Sequence, residues 1–267
     1  MKYILLFTAL LFGSHALVAQ QSNEMEIKLT YPNKKARLRV DLQKGDIVIK
    51  GSNRKTILLS YELKEKGGLK METRKDGLKK ISGSNPSLEV TEEHNEVEIN
   101  SSHWGSSVKV SLEVPNEIDI DASTYNDGII VVENVKGELE LENYTGPITA
   151  TNISGILQAN TYNGDILVDF KQVKQNTPMS FNTYNGKIDL SLPASSQLDV
   201  KAKAEQGDIL TGFDLKLNAQ SNTNKSRKEH EGERTVYLDN WIRGTINGGG
   251  GEFTMETFNG DIYIRKK

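Results

Sequence analysis

The fold is decided by a repeated hexapeptide, whose clearest copy is Thr161-Tyr162-Asn163-Gly164-Asp165-Ile166. The motif returns at 183–188 as Thr-Tyr-Asn-Gly-Lys-Ile. Further copies, aligned without gaps, lie at 124–129, 143–148, 204–209 and 257–262, with a degenerate one at 44–47. Between Ile129 and Ile209 the isoleucines that end each copy are 19, 18, 22 and 21 residues apart. So regular a recurrence indicates a repeat architecture.

Each repeat contains short segments in which apolar and polar residues alternate. The segment 187–192 places Ile188, Leu190 and Leu192 on one face and three polar side chains on the other. A second alternating register, at 135–141 and 153–159, recurs after 18 residues. Period-two alternation between Asn-Gly or Gly-Asp turns is typical of β-strands. After the N-terminal segment no long window has the apolar stripe of a helix.

We therefore predict an all-β fold, a right-handed, single-stranded β-solenoid of the β-helix type with about seven to ten turns. An antiparallel sandwich would explain the Asn-Gly turns, but not the return of one hexapeptide about every 20 residues. Turns stacked about 4.8 Å apart would place equivalent side chains in ladders. The ladders expected to point inward are formed by Thr124, Thr161 and Thr183, by Asn126, Asn163 and Asn185, and by Ile129, Ile148, Ile166 and Ile188.

The distribution of repeats predicts the organisation of the chain. Lys2, the apolar run that follows it and the small residues after that run are typical of a secretory signal peptide. Alternation on both sides of Glu93-His94-Asn95 predicts a β-hairpin. The expected segments are a signal peptide at 1–20, the start of the β-repeat at 21–62, a charged β-hairpin insertion at 63–105, and solenoid repeats at 106–267 with a polar loop at 219–234.

Composition excludes several classes of protein. The 33 basic and 36 acidic residues give a net charge of −3, so no basic surface for nucleic acid is expected. Because the chain has no cysteine, we expect no disulfide, no zinc–thiolate site and no lipid anchor on an N-terminal cysteine. No apolar run after the signal peptide is long enough for a transmembrane span. The mature chain is therefore expected to be exported, to the periplasm, the cell surface or the extracellular space.

No motif predicts a metal, a cofactor or a catalytic residue. His230-Glu231 begins like a zinc-protease helix, but the second histidine is missing. The Gly-Asp steps are too far apart for calcium-binding nonapeptides, and we interpret them as turns. One enzymatic alternative stays open, a β-helix carbohydrate-active enzyme (polysaccharide lyase or hydrolase), in which Asp165, Asp208 and Asp261 would converge on neighbouring turns.

Five aromatic residues occupy the second position of the motif and are expected to point outward: Tyr125, Tyr144, Tyr162, Tyr184 and Phe258. They would form either a structural ladder or an exposed stripe that binds a glycan or a cell-envelope or surface protein. Glu205 takes this position in its own copy of the motif. We expect it to interrupt the row.

The ordered set of motifs resembles the bacterial putative-adhesin family of β-strand-repeat proteins, a domain of unknown function. The resemblance rests on the hexapeptide, on strand ends at Pro115 and Pro193, and on the closing segment 248–264. It covers about Leu38 to Lys267. It implies a β-solenoid and no reaction or catalytic residue. The expectation is an exported, non-enzymatic β-repeat protein, an adhesin or a binding or scaffold protein of the cell envelope.

Overall fold

The computed structural model describes residues 23–63, 70–73, 79–82, 88–101, 107–218, 225–230, 233–238 and 240–267. The described residues form an all-β structure, in which strands predominate and no helix occurs. No helix in these ranges is long and apolar enough to cross a membrane. The predicted signal peptide at 1–20 lies outside the described residues.

Strands account for nearly all of the regular structure. In chain order they are β1 Asn23–Lys28, β2 Ala36–Ser52, β3 Thr56–Leu63, β4 Lys70–Thr73, β5 Lys79–Ser82, β6 Leu88–Glu93, β7 Glu96–Ser101, β8 Val108–Pro115, β9 Ile118–Asn126, β10 Ile130–Glu133, β11 Lys136–Thr145, β12 Ile148–Asn163, β13 Ile166–Val173, β14 Met179–Asn185, β15 Ile188–Leu192, β16 Leu198–Gln206, β17 Ile209–Thr211, β18 Leu215–Leu217, β19 Lys225–His230, β20 Glu233–Leu238, β21 Ile242–Ile246, β22 Gly251–Asn259 and β23 Ile262–Lys266.

Parallel pairing stacks these strands into a solenoid with two sheets. The front sheet contains β7, the first half of β2, β9, β11, the second half of β12, β14, β22 and β16. The back sheet contains β8, the second half of β2, β10, the first half of β12, β13, β15, β23 and β17. One front strand and the back strand that follows it make a rung. The described residues form eight rungs, and the β-solenoid prediction is confirmed.

The spatial order of the rungs differs from the order of the chain at both ends. The rung made by β2 lies between the β7–β8 rung and the β9–β10 rung, which are consecutive in sequence. Likewise, the C-terminal β22–β23 rung lies between the β14–β15 and β16–β17 rungs. The expectation that each repeat stacks on the preceding one is therefore wrong at these two places.

The register confirms part of the predicted inward ladders. Ile148 pairs with Ile166, and Ile166 with Ile188, and all three side chains are fully buried. Thr161 pairs with Thr183 and is also buried. These residues face a single apolar core enclosed between the two sheets.

The gapless alignment at 124–129 is wrong by one residue. Ile129 is 39% exposed, whereas Ile130 is fully buried and pairs with Ile148. The extra residue is Asp127, which has a positive φ of 46°. A single inserted residue at a turn shifts the alternation of the strand that follows it, so Ile130 takes the inward place.

The asparagines of the motif do not point into the core. Asn126 and Asn185 are half-buried and Asn163 is exposed, because the chain leaves the strand alternation at the corner where the following glycine stands. Three of the motif asparagines bond along the axis instead: Asn185 Nδ2 donates to Asn163 Oδ1 at 2.6 Å, and Asn259 Nδ2 donates to Asn185 Oδ1 at 2.6 Å. The asparagine ladder therefore ties neighbouring corners together.

The glycine at the corner is required by how closely the rungs approach. At Gly186, which has a φ of +152°, a Cβ would lie 2.1 Å from the carbonyl oxygen of Gly164 in the neighbouring rung. That oxygen accepts a hydrogen bond from the Thr183 hydroxyl at 2.9 Å. Thr257 bonds the Gly186 carbonyl in the same way. Buried hydroxyls need such a partner, which explains why threonine can point inward here.

Within the described ranges, antiparallel strands cover three of the four edges of the two sheets. At one end β6 pairs with β7 and β3 pairs with β8. At the other end β21 pairs with the front strand β16. Parallel edge strands offer unpaired backbone groups to other chains, and these antiparallel strands shield them.

Both segments that interrupt the repeats, the predicted hairpin insertion at 63–105 and the predicted polar loop at 219–234, contain antiparallel strand pairs. In the 63–105 segment β6 and β7 pair around His94 and Asn95, as expected, but β7 also joins the front sheet. The polar loop predicted at 219–234 is wrong in part, because β19 and β20 form an antiparallel pair. Backbone hydrogen bonding can pair polar strands, and β20 continues past the predicted loop into the β-favouring run Thr-Val-Tyr-Leu.

Candidate binding groove

The five aromatic residues predicted to point outward form one continuous stack on the front sheet. Neighbouring ring centroids are 4.6 Å apart for Tyr125 and Tyr144, and 5.2 Å for Tyr144 and Tyr162. They are 5.0 Å apart for Tyr162 and Tyr184, and 4.8 Å for Tyr184 and Phe258. The planes of neighbouring rings differ by 14° or less. All five side chains are exposed, between 36% and 45%.

Glu205 does not interrupt this row, contrary to the expectation. The C-terminal rung brings Phe258 next to Tyr184, and the rung that carries Glu205 stacks on the far side of Phe258. The row therefore runs unbroken over five rungs, roughly 20 Å at about 4.8 Å for each rung. Glu205 lies at its end.

Stacking decides which parts of the rings face solvent. The faces of the inner rings are covered by their neighbours, so the row presents ring edges and hydroxyl groups. Over the part of the chain that the structure describes, the hydroxyls of Tyr144, Tyr162 and Tyr184 have no hydrogen-bond partner. The row is therefore an apolar ridge with a line of available hydroxyl groups.

A polar row runs beside the aromatic row. It is formed by the side chains two residues before the ring in each rung, and its members in spatial order are Asp41, Ser123, Glu142, Asn160, Asn182, Glu256 and Lys203. Both rows line one open groove of about 800 Å³, which we call the aromatic groove. The polar row was not predicted from the sequence, although strand alternation places residues two apart on the same face.

The two ends of the aromatic groove differ in charge. At one end Lys203 lies 2.5 Å from Glu205 and 3.4 Å from Glu256. The hydrogen bond to Glu205 raises the pKa of Lys203, so this ammonium stays protonated. At the other end Asp41 and Glu142 are exposed, and neither forms an ion pair in the described ranges.

The middle of the polar row is neutral and partly preorganised. Asn182 Nδ2 donates to Asn160 Oδ1 at 2.8 Å. Each amide keeps further donor or acceptor capacity on the groove side. The groove therefore combines an apolar wall with groups that both donate and accept hydrogen bonds, repeated once in each rung.

The carboxylates considered for the enzymatic alternative have structural contacts. Asp165 Oδ1 accepts the backbone N–H of Lys187 at 3.0 Å. Asp261 Oδ1 accepts the backbone N–H of Asp208 at 2.9 Å, which lowers the pKa of Asp261 below its ordinary value. Lys187 occupies the corner between Asp165 and Asp261, because the C-terminal rung follows the one that contains Lys187. The three aspartates do not form one cluster.

No group of three or more histidine and acidic residues with the geometry of a metal site occurs among the described residues. His230 lies in β19, and its neighbour Glu231 lies outside the described residues. The glycine run that ends at Gly251 leads into a strand rather than a helix, so it lacks the helix N-terminus of a phosphate-binding loop.

No curated protein matches the chain. Among solved structures it is similar to a "putative cell adhesion protein" from Clostridium sporogenes ATCC 15579, with 15% identity, a TM-score of 0.45, and coverage of 92% of this chain and 100% of that one. It is also similar to a "putative lipid binding protein" from Parabacteroides distasonis ATCC 8503, with 13% identity, a TM-score of 0.29, and coverage of 93% and 98%.

A family model for the Toastrack domain, DUF4097, matches residues 3–247. The match confirms the resemblance to a β-repeat domain of unknown function. Because it spans most of the sequence, this chain belongs to the Toastrack family.

Proposed function

We propose that the chain is an exported, non-catalytic binding protein of the cell envelope, and that its aromatic groove holds an extended glycan. One observation carries the proposal. An unbroken row of exposed aromatic side chains lies beside a row of amide, hydroxyl and carboxylate groups over five rungs. Export is supported by Lys2 and the apolar run that follows it.

Stability alone does not account for the composition of the aromatic row. A ring stack can be completed without a hydroxyl, as Phe258 does beside Tyr184. Four of the five positions nevertheless carry tyrosine, and all four tyrosines line the groove. Tyrosine is favoured at recognition surfaces because one side chain supplies both apolar area and a hydrogen-bonding group.

The spacing of the groove favours a glycan over an extended peptide. Its hydrogen-bonding groups repeat about every 4.8 Å, the distance between stacked strands. An extended peptide presents side chains to one surface about every 6.6 Å, at two residues of roughly 3.3 Å each, and it would fall out of register within two or three rungs. A pyranose unit in an extended chain is close to one rung in length and carries hydroxyls along both edges.

Catalysis is not part of the proposed function. The carboxylates Asp165 and Asp261 accept backbone N–H groups of the next rung. Such bonds hold a carboxylate in one position between two rungs. This supports a role in joining rungs rather than in cleaving a sugar.

A glycan panel tests the proposal. The chain without residues 1–20 is titrated with peptidoglycan fragments and with oligosaccharides from envelope polymers. The same titration is done with Tyr144→Phe/Tyr162→Phe, which keeps the ring stack and removes two hydroxyls. We expect at least one glycan to bind, and the double variant to bind it about tenfold or more weakly, since lost hydrogen bonds leave groups on the ligand unpaired.

The matched control is Tyr31→Phe. Tyr31 is equally exposed, at 42%, but does not line the groove. Unchanged affinity in Tyr31→Phe, with loss in the groove variant, supports the proposal. If no glycan in the panel binds, or if both variants lose the same affinity, the proposed function is wrong.

A further inference from the structure

The aromatic groove carries an excess of negative charge that is concentrated at one end. Four carboxylates and one ammonium line it. Glu205 and Glu256 both contact Lys203 at one end, which offsets one of their two negative charges. The uncompensated carboxylates are Asp41 and Glu142, at the opposite end.

The strand pairing places these two carboxylates on either side of Ser123, where both can contact one ligand unit. Asp41 pairs with Ser123 in the next rung, and Ser123 pairs with Glu142 in the rung after that. All three side chains line the groove beside Tyr125 and Tyr144. The backbones that carry the two acids are two rungs apart, about 10 Å, which leaves the width of one ring unit between them, above the Ser123 hydroxyl.

We propose that this end of the groove selects glycans that carry free, protonated amines, so that the preferred ligand is an amino sugar polymer rather than its N-acetylated form. The inference rests on the proposed glycan-binding function and adds the class of sugar. An ammonium group would lie between Asp41 and Glu142. Neutral hydroxyls would contact the Asn160–Asn182 pair, while Glu205 and Glu256 stay bound to Lys203 at the far end.

Charge complementarity determines which ligand this arrangement excludes. An acidic glycan meets two unpaired carboxylates and is repelled. An N-acetylated sugar keeps the contacts with the ridge but gains nothing from Asp41 and Glu142. Both acids are solvent-exposed, so each contact with an ammonium is worth little by itself. Two together give an expected preference of about three- to tenfold, which salt should reduce.

Matched oligosaccharides test the inference. A β-linked glucosamine oligosaccharide and its fully N-acetylated counterpart are titrated into the chain at mildly acidic pH, where the free amines are protonated, at low and at high salt. We expect the free-amine form to bind about three- to tenfold more tightly at low salt. In Asp41→Asn/Glu142→Gln the preference should disappear, so that the two sugars bind with similar affinity.

Glu133→Gln/Glu252→Gln is the control variant. It removes the same number of charges from positions that do not line the groove, so the preference for the free amine should persist. Loss of the preference in this control would assign it to the net charge of the protein and overturn the inference. Equal binding of the two sugars by the unmodified chain would also overturn it, although the glycan-binding function would stand.

Two further outcomes separate this inference from the proposed function. If neither sugar binds, and the glycan panel also fails, the proposed function itself is wrong. A short oligolysine peptide serves as a second probe. If oligolysine binds with the same dependence on Asp41 and Glu142 while the glucosamine oligosaccharide does not, the groove recognises cationic peptides and the amino sugar assignment is overturned.

Discussion

Phe258 stacks on Tyr184 with ring centroids 4.8 Å apart and planes within 2° of each other, although all of β15 to β21 lies between them in the chain. The contact exists because the C-terminal rung inserts between two rungs that are consecutive in sequence. The last residues of the chain therefore complete both the aromatic row and the core beneath it. They are an internal layer of the solenoid rather than its end.

Deletion of residues 248–267 should therefore strongly destabilise the fold. It would remove the strands that pair with β14 and β16 on the front and with β15 and β17 on the back. It would also expose Phe170 and Phe181, which pack against Phe253. We expect loss of a cooperative thermal transition, followed by circular dichroism.

The control for this deletion replaces 70–82 with a short glycine-serine linker. That segment contains β4 and β5, which form their own two-stranded sheet. Its removal should shift the Tm by only a few degrees. A truncated chain lacking 248–267 that melts cooperatively near the Tm of the intact protein would contradict the inserted position of the C-terminal rung.

The aromatic row should contribute to stability through its rings and not through its hydroxyls. Tyr162→Ser removes two stacking contacts, each worth about 0.5–1.5 kcal/mol, and should lower the free energy of unfolding by about 1–3 kcal/mol. Tyr162→Phe keeps both contacts and should stay within about 0.5 kcal/mol of the parent. Urea unfolding measures the free energy of unfolding of both variants. An equal decrease in the two would show that the hydroxyl, and not the ring stack, stabilises the rung.

Gly186→Ala should be strongly destabilising, because the new Cβ would lie 2.1 Å from a backbone oxygen of the neighbouring rung. Gly248→Ala separates this effect from backbone strain: Gly248 also has a positive φ, of +95°, but a Cβ there would have nothing within 4 Å. We expect a loss of about 1–2 kcal/mol for Gly248→Ala and a clearly larger loss for Gly186→Ala in chemical unfolding. Equal losses would mean that the glycine column does not set the approach of the rungs.

Acid should weaken the contact between the last two rungs in the stack. The hydrogen bond from the Asp208 backbone lowers the pKa of Asp261 below the ordinary aspartate value of 3.8. A carboxyl with a lowered pKa in the folded state stabilises the fold above its unfolded pKa, and that stability is lost as the pH falls through the folded value. Below pH 3.8 the parent should therefore lose Tm more steeply than Asp261→Asn does, as measured by melting across acid pH. If the Tm of the two proteins falls in parallel with pH, Asp261 does not contribute to the acid sensitivity of the fold.

The parts of the fold that the sequence predicts are those controlled by local alternation. Thr161 and Ile166 were placed inward correctly because strand periodicity determines which face a side chain takes. Asn163 was not, because it lies where that periodicity stops, at a glycine corner. Ile129 was misplaced because a single residue with positive φ, Asp127, precedes it.

The spatial order of the rungs could not be predicted from local sequence patterns, for a different reason. The copies of the motif resemble one another, so the local pattern alone does not decide whether the hexapeptide at 257–262 lies beside Tyr184 or beside Glu205. Its actual place between them depends on which neighbours the whole chain can reach. The polar row of the aromatic groove was accessible in principle, since Glu142 and Asn160 each stand two residues before a motif tyrosine.

Tyrosine-selective NMR shows whether the aromatic groove is a binding surface. The sequence has nine tyrosines, of which Tyr125, Tyr144, Tyr162 and Tyr184 line the groove and Tyr31 and Tyr263 do not. With tyrosine ring carbons labelled, the chain is titrated with the glucosamine oligosaccharide and with the peptidoglycan fragments. We expect the ring signals of the four groove tyrosines to shift and to saturate with added ligand, and those of Tyr31 and Tyr263 to stay in place. A ligand that binds with affinity measured independently, and yet leaves the four groove signals unmoved, would contradict it.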